Sequence, residues 1–305
     1  MSSINTNVSA MTALQSLNKT NMALETTQKR ISTGYRVGSA EDNAAYWSIA
    51  TTMRSDNSAL STVKDALGLG AATIDVAYTA TNSAIDVAKE IKNKLVAARQ
   101  PGVDRGKIQS EITELQNQLR SIGDSAVFSG QNWLSTDSSA VSYNATKSIV
   151  ASFTRASNGS ISIGTISVDT SGTKLYDTSA TAVGIIDGLR DATGAIAAVG
   201  TSVAAVDISA LTDSAADLTT LEGYISGADT AISEMTDSAS TLGATKQRVS
   251  LQRNFVTALM DAVDRGISTL VDADMTEEST KLQALQVQQQ LGVQALSIAN
   301  QQGQS

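Results

Sequence analysis

Carboxylates are the first candidates for chemistry in this sequence. Asp272, Asp274, Glu277 and Glu278 lie in one short stretch, and Glu41-Asp42 sit in the window "KRISTGYRVGSAEDNAAYWSIA", Lys29 to Ala50. Two carboxylates serve as general acid and base when a desolvated site separates their pKa values. The window adds Gly34, Arg36, Gly38, Asn43, Tyr46 and Trp47, a mixture that suits an active or binding site. Nothing else completes a catalytic set. The chain has no cysteine and no histidine, which removes thiol nucleophiles, disulfides, thiolate metal sites and the usual neutral-pH base. No paired, desolvated acid site is marked, so Asp272, Asp274, Glu277 and Glu278 read as solvated charge at a helix end. No enzyme activity, cofactor or metal is expected.

The elements that carry these residues are helical. The 305 residues suffice for one large domain or two ordinary ones. Apolar residues make up 41% but aromatics only 4%, a composition that suits close-packed helices better than an enzyme pocket. The single proline, Pro101, fits long helices, whose interiors exclude it. A net charge of -8 makes nucleic acid and anionic membrane poor partners. No apolar run is long enough to span a bilayer. The start "MSSINTNVSAMTAL" lacks a basic n-region and a continuous apolar stretch, so no cleaved signal peptide is expected.

Three segments show sustained helical spacing. Met53, Leu60, Leu67, Ile74, Thr81, Ala88 and Leu95 step by seven, with Val63, Ala77, Ala84, Ile91 and Ala98 at the companion position and Gly70 as its exception. "RQPG" should end this helix. A shorter stripe, Ile108, Ile112, Leu115, Leu119 and Ile122, should fold back antiparallel on it. The longest seam is Leu221, Ala228, Met235, Leu242, Val249, Val256, Val263 and Leu270. Its partner position is interrupted by Lys246 and Arg253, which read as polar register markers within the seam. Gly223, Gly227, Gly243 and Gly266 fit either an outer face or close packing.

Between these seams, residues 141–180 are rich in Ser, Thr, Val and Ile and broken by "SNG" and "TSG", which predicts short strands and hairpins. Residues from about 180 to 212 read as a short helix and an Ala/Gly/Ser-rich loop. The chain is therefore mainly α: a long antiparallel coiled-coil-like bundle of its N- and C-terminal halves, with a small β-hairpin-rich insertion in the middle.

The two ends differ from the rest. Ile4, Val8, Met11 and Leu14 precede Leu17, Leu24 and Ile31, with only Lys19 and Glu25 as charged side chains up to residue 28. Leu282, Leu285, Val287, Leu291, Val293, Leu296 and Ile298 spread around most of a helix among glutamines, with no charge after Lys281. A helix that is apolar all round is normally buried. Either both ends fill this chain's own core, or they are buried only between subunits and are loose before assembly.

Four motifs carry a resemblance: "INTNVSAMTALQSLNKT", "RISTGYRVGSAEDNAAYWSIA", "SEITELQNQL" with "FSGQNWL", and "QVQQQLGVQALSIANQ". In this order, and over roughly residues 1–140 and 215–303, they resemble bacterial flagellin, in the form found in alphaproteobacterial soil bacteria related to rhizobia. The resemblance implies a homopolymeric helical filament for swimming motility, with other flagellins as further partners. Residues 1–40 and 266–305 would form the terminal coiled coil of the filament core. Residues 41–140 and 181–265 would form a helical rod domain, and 141–180 its surface insertion. Gly34 and Gly38 would break the terminal helix, and the rod helix would start near Asp42, capped by Asp42 or Ser39. The subunit would leave unfolded through the flagellum's type III apparatus, with an export chaperone and a cap as partners.

The resemblance also bears on host receptors. The window matching Lys29–Ala50 is the peptide sensed by the plant flagellin receptor, and strongly sensed forms have a basic residue at Glu41, Asp at Asn43 and Gly at Tyr46. The stretch "IKNKLVA" falls near the surface read by the animal receptor, with Lys92 where Arg is expected, Asn93 where Glu is, and Glu111 matching. Weak recognition is expected in both cases. The chain reads "SAEDNAA", without proline, where hook–filament junction proteins typically resemble "PSDDP", which favours flagellin; one departure from the family is that fewer apolar residues follow "ANQ". A junction protein of the same architecture is the runner-up, followed by another secreted coiled-coil assembly protein. "NAT" at Asn144 and "NGS" at Asn158 match a glycosylation pattern by chance.

Overall fold

A computed structural model describes residues 7–179 and 183–302. Among them are five α-helices: α1 (Val8–Thr33), α2 (Ala44–Ala97), α3 (Arg105–Ser125), α4 (Ala215–Val271) and α5 (Met275–Gln302). The chain divides into two compact units, Met1–Ala59 with Leu259–Ser305, and Leu60–Ala258.

In the first unit, α1 begins behind Asn7, whose side chain accepts from the Ala10 N–H at 3.0 Å. It stops at Gly34, whose φ of 76° is left-handed and disfavours any side chain. The α2 start differs from the expectation. Its cap is Asn43, whose Oδ1 accepts from the N–H groups of Ala45 and Tyr46, both at 3.1 Å. Asp42 faces the other way: its Oδ2 accepts from Gly38 N at 2.9 Å and Ser39 N at 3.0 Å, closing the turn before the helix. Those backbone donors, Gly38 first, hold its carboxyl below the usual range. Val37, Ala50, Ile267 and Val271 form one apolar cluster, with Met53, Val263 and Leu270 packed against it. This cluster is why the opening turns of α2 belong to the first unit. Antiparallel α1 and α5 are joined by Asn7 Nδ2 to Ala299 O at 2.9 Å, Gln289 to Asn21 at 2.8 Å, and Arg30 to Glu278 at 2.9 Å.

In the second unit, α2 and α4 also run antiparallel, tied by Lys92–Asp229 at 2.5 Å and by Lys246–Asp75. Leu60, Leu67, Ile74 and Leu95 of α2 and Leu221, Met235, Leu242 and Val256 of α4 are buried. Lys246 and Arg253 are exposed, which corrects the reading of both as seam residues. They flank the seam, where a charge stays hydrated and needs no buried partner. α3 folds back on α2, with Lys94 paired to Glu111 at 2.6 Å.

Strands plug into gaps between the helices. β1 (Val127–Phe128) and β2 (Gln131–Asn132) form a hairpin that the sequence reading missed. Its turn residues Ser129 and Gly130 have φ of 50° and 77°, the type I′ pattern. β3 (Ser135–Thr136) pairs in parallel with β6 (Tyr176–Asp177), and β4 (Thr146–Arg155) pairs antiparallel with β5 (Ile161–Asp169). Gly70, the exception in the α2 seam, is a socket: a Cβ there would lie 2.6 Å from Ile149 of β4. Gly123 receives the Tyr176 ring in the same way, at 2.7 Å.

No α-helix forms among the described residues of 180–212, which corrects that expectation; a single 3-10 turn, Val203–Ala205, stands there. The segment is instead wrapped around buried Arg190. Its guanidinium donates to Ile185 O at 2.6 Å and Gly194 O at 2.9 Å, and pairs with Glu234 of α4 at 2.6 Å. Gly223 and Gly227 of α4 face this loop, where Cβ atoms would meet Ala192 Cα at 3.4 Å and Arg190 Cδ at 3.5 Å, ordinary contact distances. Gly243 likewise faces Tyr78 at an ordinary 3.5 Å, and of these four glycines only Gly266, where a Cβ would lie 3.0 Å from Met53 Cε, serves close packing.

Lys174 and Asp177 form a buried pair at 2.8 Å. Burial pushes the Asp177 carboxyl up, but donors from Lys174, Ser138 and Ser179 outweigh it and hold the group well below its usual range. A lowered folded pKa contributes stability above the ordinary carboxylate range and loses it as pH falls through the folded value. Nearby Asp187 has the opposite sign: burial raises its pKa, so protonation favours the fold. Lys174→Met strands the Asp177 charge and should destabilise the second unit by about 3–5 kcal/mol at neutral pH. Unfolding midpoints in urea measure this, and the gap should close as pH falls. An unchanged midpoint at pH 7 would refute it.

Candidate assembly surface

The α1/α5 pair is short of partners. Two paired helices with apolar residues on several faces can cover only one stripe of each other. Leu285 is buried, and Leu17, Leu24, Ile31, Leu282 and Leu296 are half-buried between the helices. The rest face solvent: Val8 at 71%, Met11, Leu14, Met22, Val287, Leu291 at 57%, Val293 and Ile298. Ile4 lies outside the described residues. Met22 was missed by the sequence reading because it falls between the seven-residue steps. Exposed apolar surface on this scale marks an interaction site.

Electrostatics point the same way. The outward faces of α5 beyond Lys281 carry glutamine and no charge, so they can be dehydrated without burying an ion. Polar ties that the sequence did not disclose align the two helices: Asn7 with Ala299, Asn21 with Gln289, Arg30 with Glu278. Glu278 is only 5% exposed, and its Oε2 has no partner. Leu17 seats in a notch at Gly292, where a Cβ would meet its Cδ1 at 3.2 Å.

The linker window is ordered by backbone pairing. Arg36 N and Val37 N donate to Val271 O at 2.7 and 3.2 Å, Ala273 N donates to Gly34 O at 2.9 Å, and Tyr35 bridges Asp272. Arg36 also donates from its side chain to Leu270 O at 3.0 Å. Glu41, Asp42, Tyr46 and Trp47 are exposed, as is Gly38, while Gly34 and Asn43 are half-buried.

The carboxylates considered for chemistry have structural partners. Asp274 caps α5, accepting from Thr276 N at 2.9 Å and Glu277 N at 3.3 Å. Glu277 lies in the first turn of α5, where the helix dipole favours it. Glu278 pairs with Arg30, and Asp272 lies in the bridge to Tyr35. Among the described residues, no three metal-ligating side chains come together. Lys92 and Glu111 are engaged on different helix contacts, Lys92 with Asp229 of α4 and Glu111 with Lys94 of α2, while Asn93 is exposed.

The bacterial flagellin N-terminal helical region matches residues 4–139, and the bacterial flagellin C-terminal helical region matches residues 225–305. The chain is 53% identical to a Flagellin C of Rhizobium meliloti, over 98% of this chain and 96% of that one. It is 44% identical to a Flagellin A of Rhizobium meliloti, covering 100% of this chain and 98% of the relative. A flagellin of Brucella melitensis is 42% identical, again over 100% and 98%.

Proposed function

Because the chain belongs to the bacterial flagellin family, whose members are structural subunits of the flagellar filament, we propose that α1 and α5 are the surfaces through which it polymerises. The observation that carries this is the row of exposed apolar side chains on the paired terminal helices. Residues 1–40 and 266–305 form the filament-core coiled coil and reach their final burial only between subunits. Residues 41–140 and 181–265 form the rod domain, seamed by Leu60, Leu67, Ile74, Leu95, Leu221, Met235, Leu242 and Val256, whereas Val263 and Leu270, expected in the same seam, pack against the Val37 cluster. Residues 141–180 are its surface insertion. The chain acts as a building block for swimming and not as an enzyme.

No described helix is long and apolar enough to cross a membrane, and the family's place is the filament outside the cell. Export without a cleaved signal through the flagellum's own apparatus, with an export chaperone and a cap, fits terminal helices that are incompletely buried in the single chain. Electron microscopy of polymerised purified protein tests the proposal. Helical filaments with residues 1–40 and 266–305 at the inner wall are expected, and an outer location for those residues would refute it.

The window Lys29–Ala50 is proposed as a weak ligand for the plant receptor, with Glu41, Asn43 and Tyr46 as the departures that weaken it. A synthetic peptide of these 22 residues should give little or no oxidative burst in plant tissue. A full burst at nanomolar dose would overturn this. Weak recognition by the animal receptor is proposed on Lys92 and Asn93.

A further inference from the structure

The tip of the β4–β5 hairpin contains Asn158-Gly159, the sole Asn-Gly step in the chain. Both residues are exposed, as are Ala156, Ser157 and Ser160 around them. The Asn158 side-chain carbonyl is held by two donors: Ser160 N at 3.0 Å and Ser160 Oγ at 2.7 Å. Two donors on one carbonyl oxygen stabilise the negative charge that develops there when its carbon is attacked. The potential nucleophile is the next backbone nitrogen. Gly159 N donates to Ala156 O at 2.9 Å, and Gly159 has φ of +84° with open space where a Cβ would stand. No side chain shields its approach. The bond to Ala156 must open first, and at an exposed loop tip such opening is nearly free.

We infer that Asn158 is a site of spontaneous deamidation, activated by Ser160 and unhindered at Gly159. The Gly159 nitrogen attacks Asn158 Cγ and loses its proton to water. The new N–Cγ bond closes a five-membered imide as the Cγ–Nδ2 bond breaks, and ammonia leaves. Water then opens either imide carbonyl, giving aspartate or isoaspartate with no change of oxidation state. Each event adds one negative charge to the hairpin tip. The isoaspartate product also adds a methylene to the backbone inside the turn closed by Ala156 N and Ser160 O at 2.9 Å, which loosens the end of the β4–β5 register. The "NGS" pattern at Asn158 thus marks a chemical site rather than a glycan acceptor.

Asn144 supplies an internal reference. Its Oδ1 accepts from Thr146 N at 2.9 Å in a similar turn, but Ala145 follows it, and a Cβ there hinders the nitrogen. The test is peptide mapping of full-length protein aged at neutral pH, with isoaspartate detected by enzymatic methylation. A free peptide spanning Arg155–Ile161 is aged in parallel. Asn158 in the folded chain should convert within about tenfold of the peptide rate, faster as pH rises, while Asn144 stays an amide. Ser160→Ala should slow the folded chain roughly threefold or more, below the ~10²-fold worth of a donor in a dry site because this one is hydrated. Conversion more than about tenfold slower than the peptide, equal conversion at Asn144, or an unchanged rate in Ser160→Ala would each overturn the assignment.

Discussion

Ile298→Asp should leave the isolated subunit as stable as the parent and stop it from polymerising. Ile298 is 57% exposed in the single chain, so a carboxylate there stays hydrated, and a surface change of this kind moves stability by less than ~0.5 kcal/mol. If α5 is buried between subunits, the same carboxylate must be dehydrated in a seam to which α5 beyond Lys281 brings no cation. The penalty is several kcal/mol for every subunit added. About 4 kcal/mol raises the concentration needed for growth about 10³-fold. Leu17→Asp is the informative contrast. Leu17 already packs at Gly292 within the pair, so this change should weaken the α1/α5 contact as well as block growth. Sedimentation of subunits mixed with preformed filament seeds, beside urea unfolding of the subunit, separates the two effects. Normal filaments from Ile298→Asp would show that α5 is not an assembly surface.

The seams of α2 and α4 were legible in the sequence because heptad spacing is a local property. Leu60 through Leu95 step by seven and are buried at each step named. Lys246 and Arg253 misled the reading because a seam's edge and its centre differ by one helical position, and only the partner helix decides between them. Gly70 could not be assigned from spacing either: its meaning depends on Ile149, which lies far along the chain on β4. The segment around Arg190 has the same character. Part of residues 180–212 reads as a short helix beside an Ala/Gly/Ser-rich loop, but Arg190, itself held by Glu234, donates to the carbonyls of Ile185 and Gly194 and satisfies them without a helix. At the ends, the missing charge was visible directly, and the surface it produces follows from it. The carboxylates were visible too, while their roles as cap and ion-pair partners came only with the fold.

Limited proteolysis should cut the two ends of the free subunit and spare them in filaments, with protection of at least ~100-fold. Trypsin needs an exposed Lys or Arg in a segment that can open, and Lys19, Lys29 and Lys281 are exposed on α1 and α5. A helix pair held by one apolar stripe and a few polar ties opens far more readily than the buried seam of the second unit. Cleavage then follows the population of the open form. If the ends are buried between subunits, each helix gains partners on its remaining faces in a filament, and opening one subunit's ends must break contacts with several neighbours. Removing residues 8–33 or 275–302 should therefore abolish polymerisation, with longer incubation or higher concentration restoring nothing. The Leu60–Ala258 unit should keep its helical circular dichroism and cooperative unfolding, because its core of Leu67, Ile74, Leu221 and Leu242 includes no residue of the deleted helices. Equal cleavage of subunit and filament at Lys19 and Lys281 would refute burial of the ends on assembly. Loss of cooperative unfolding in both truncated chains would instead show that the ends contribute to the subunit's own core.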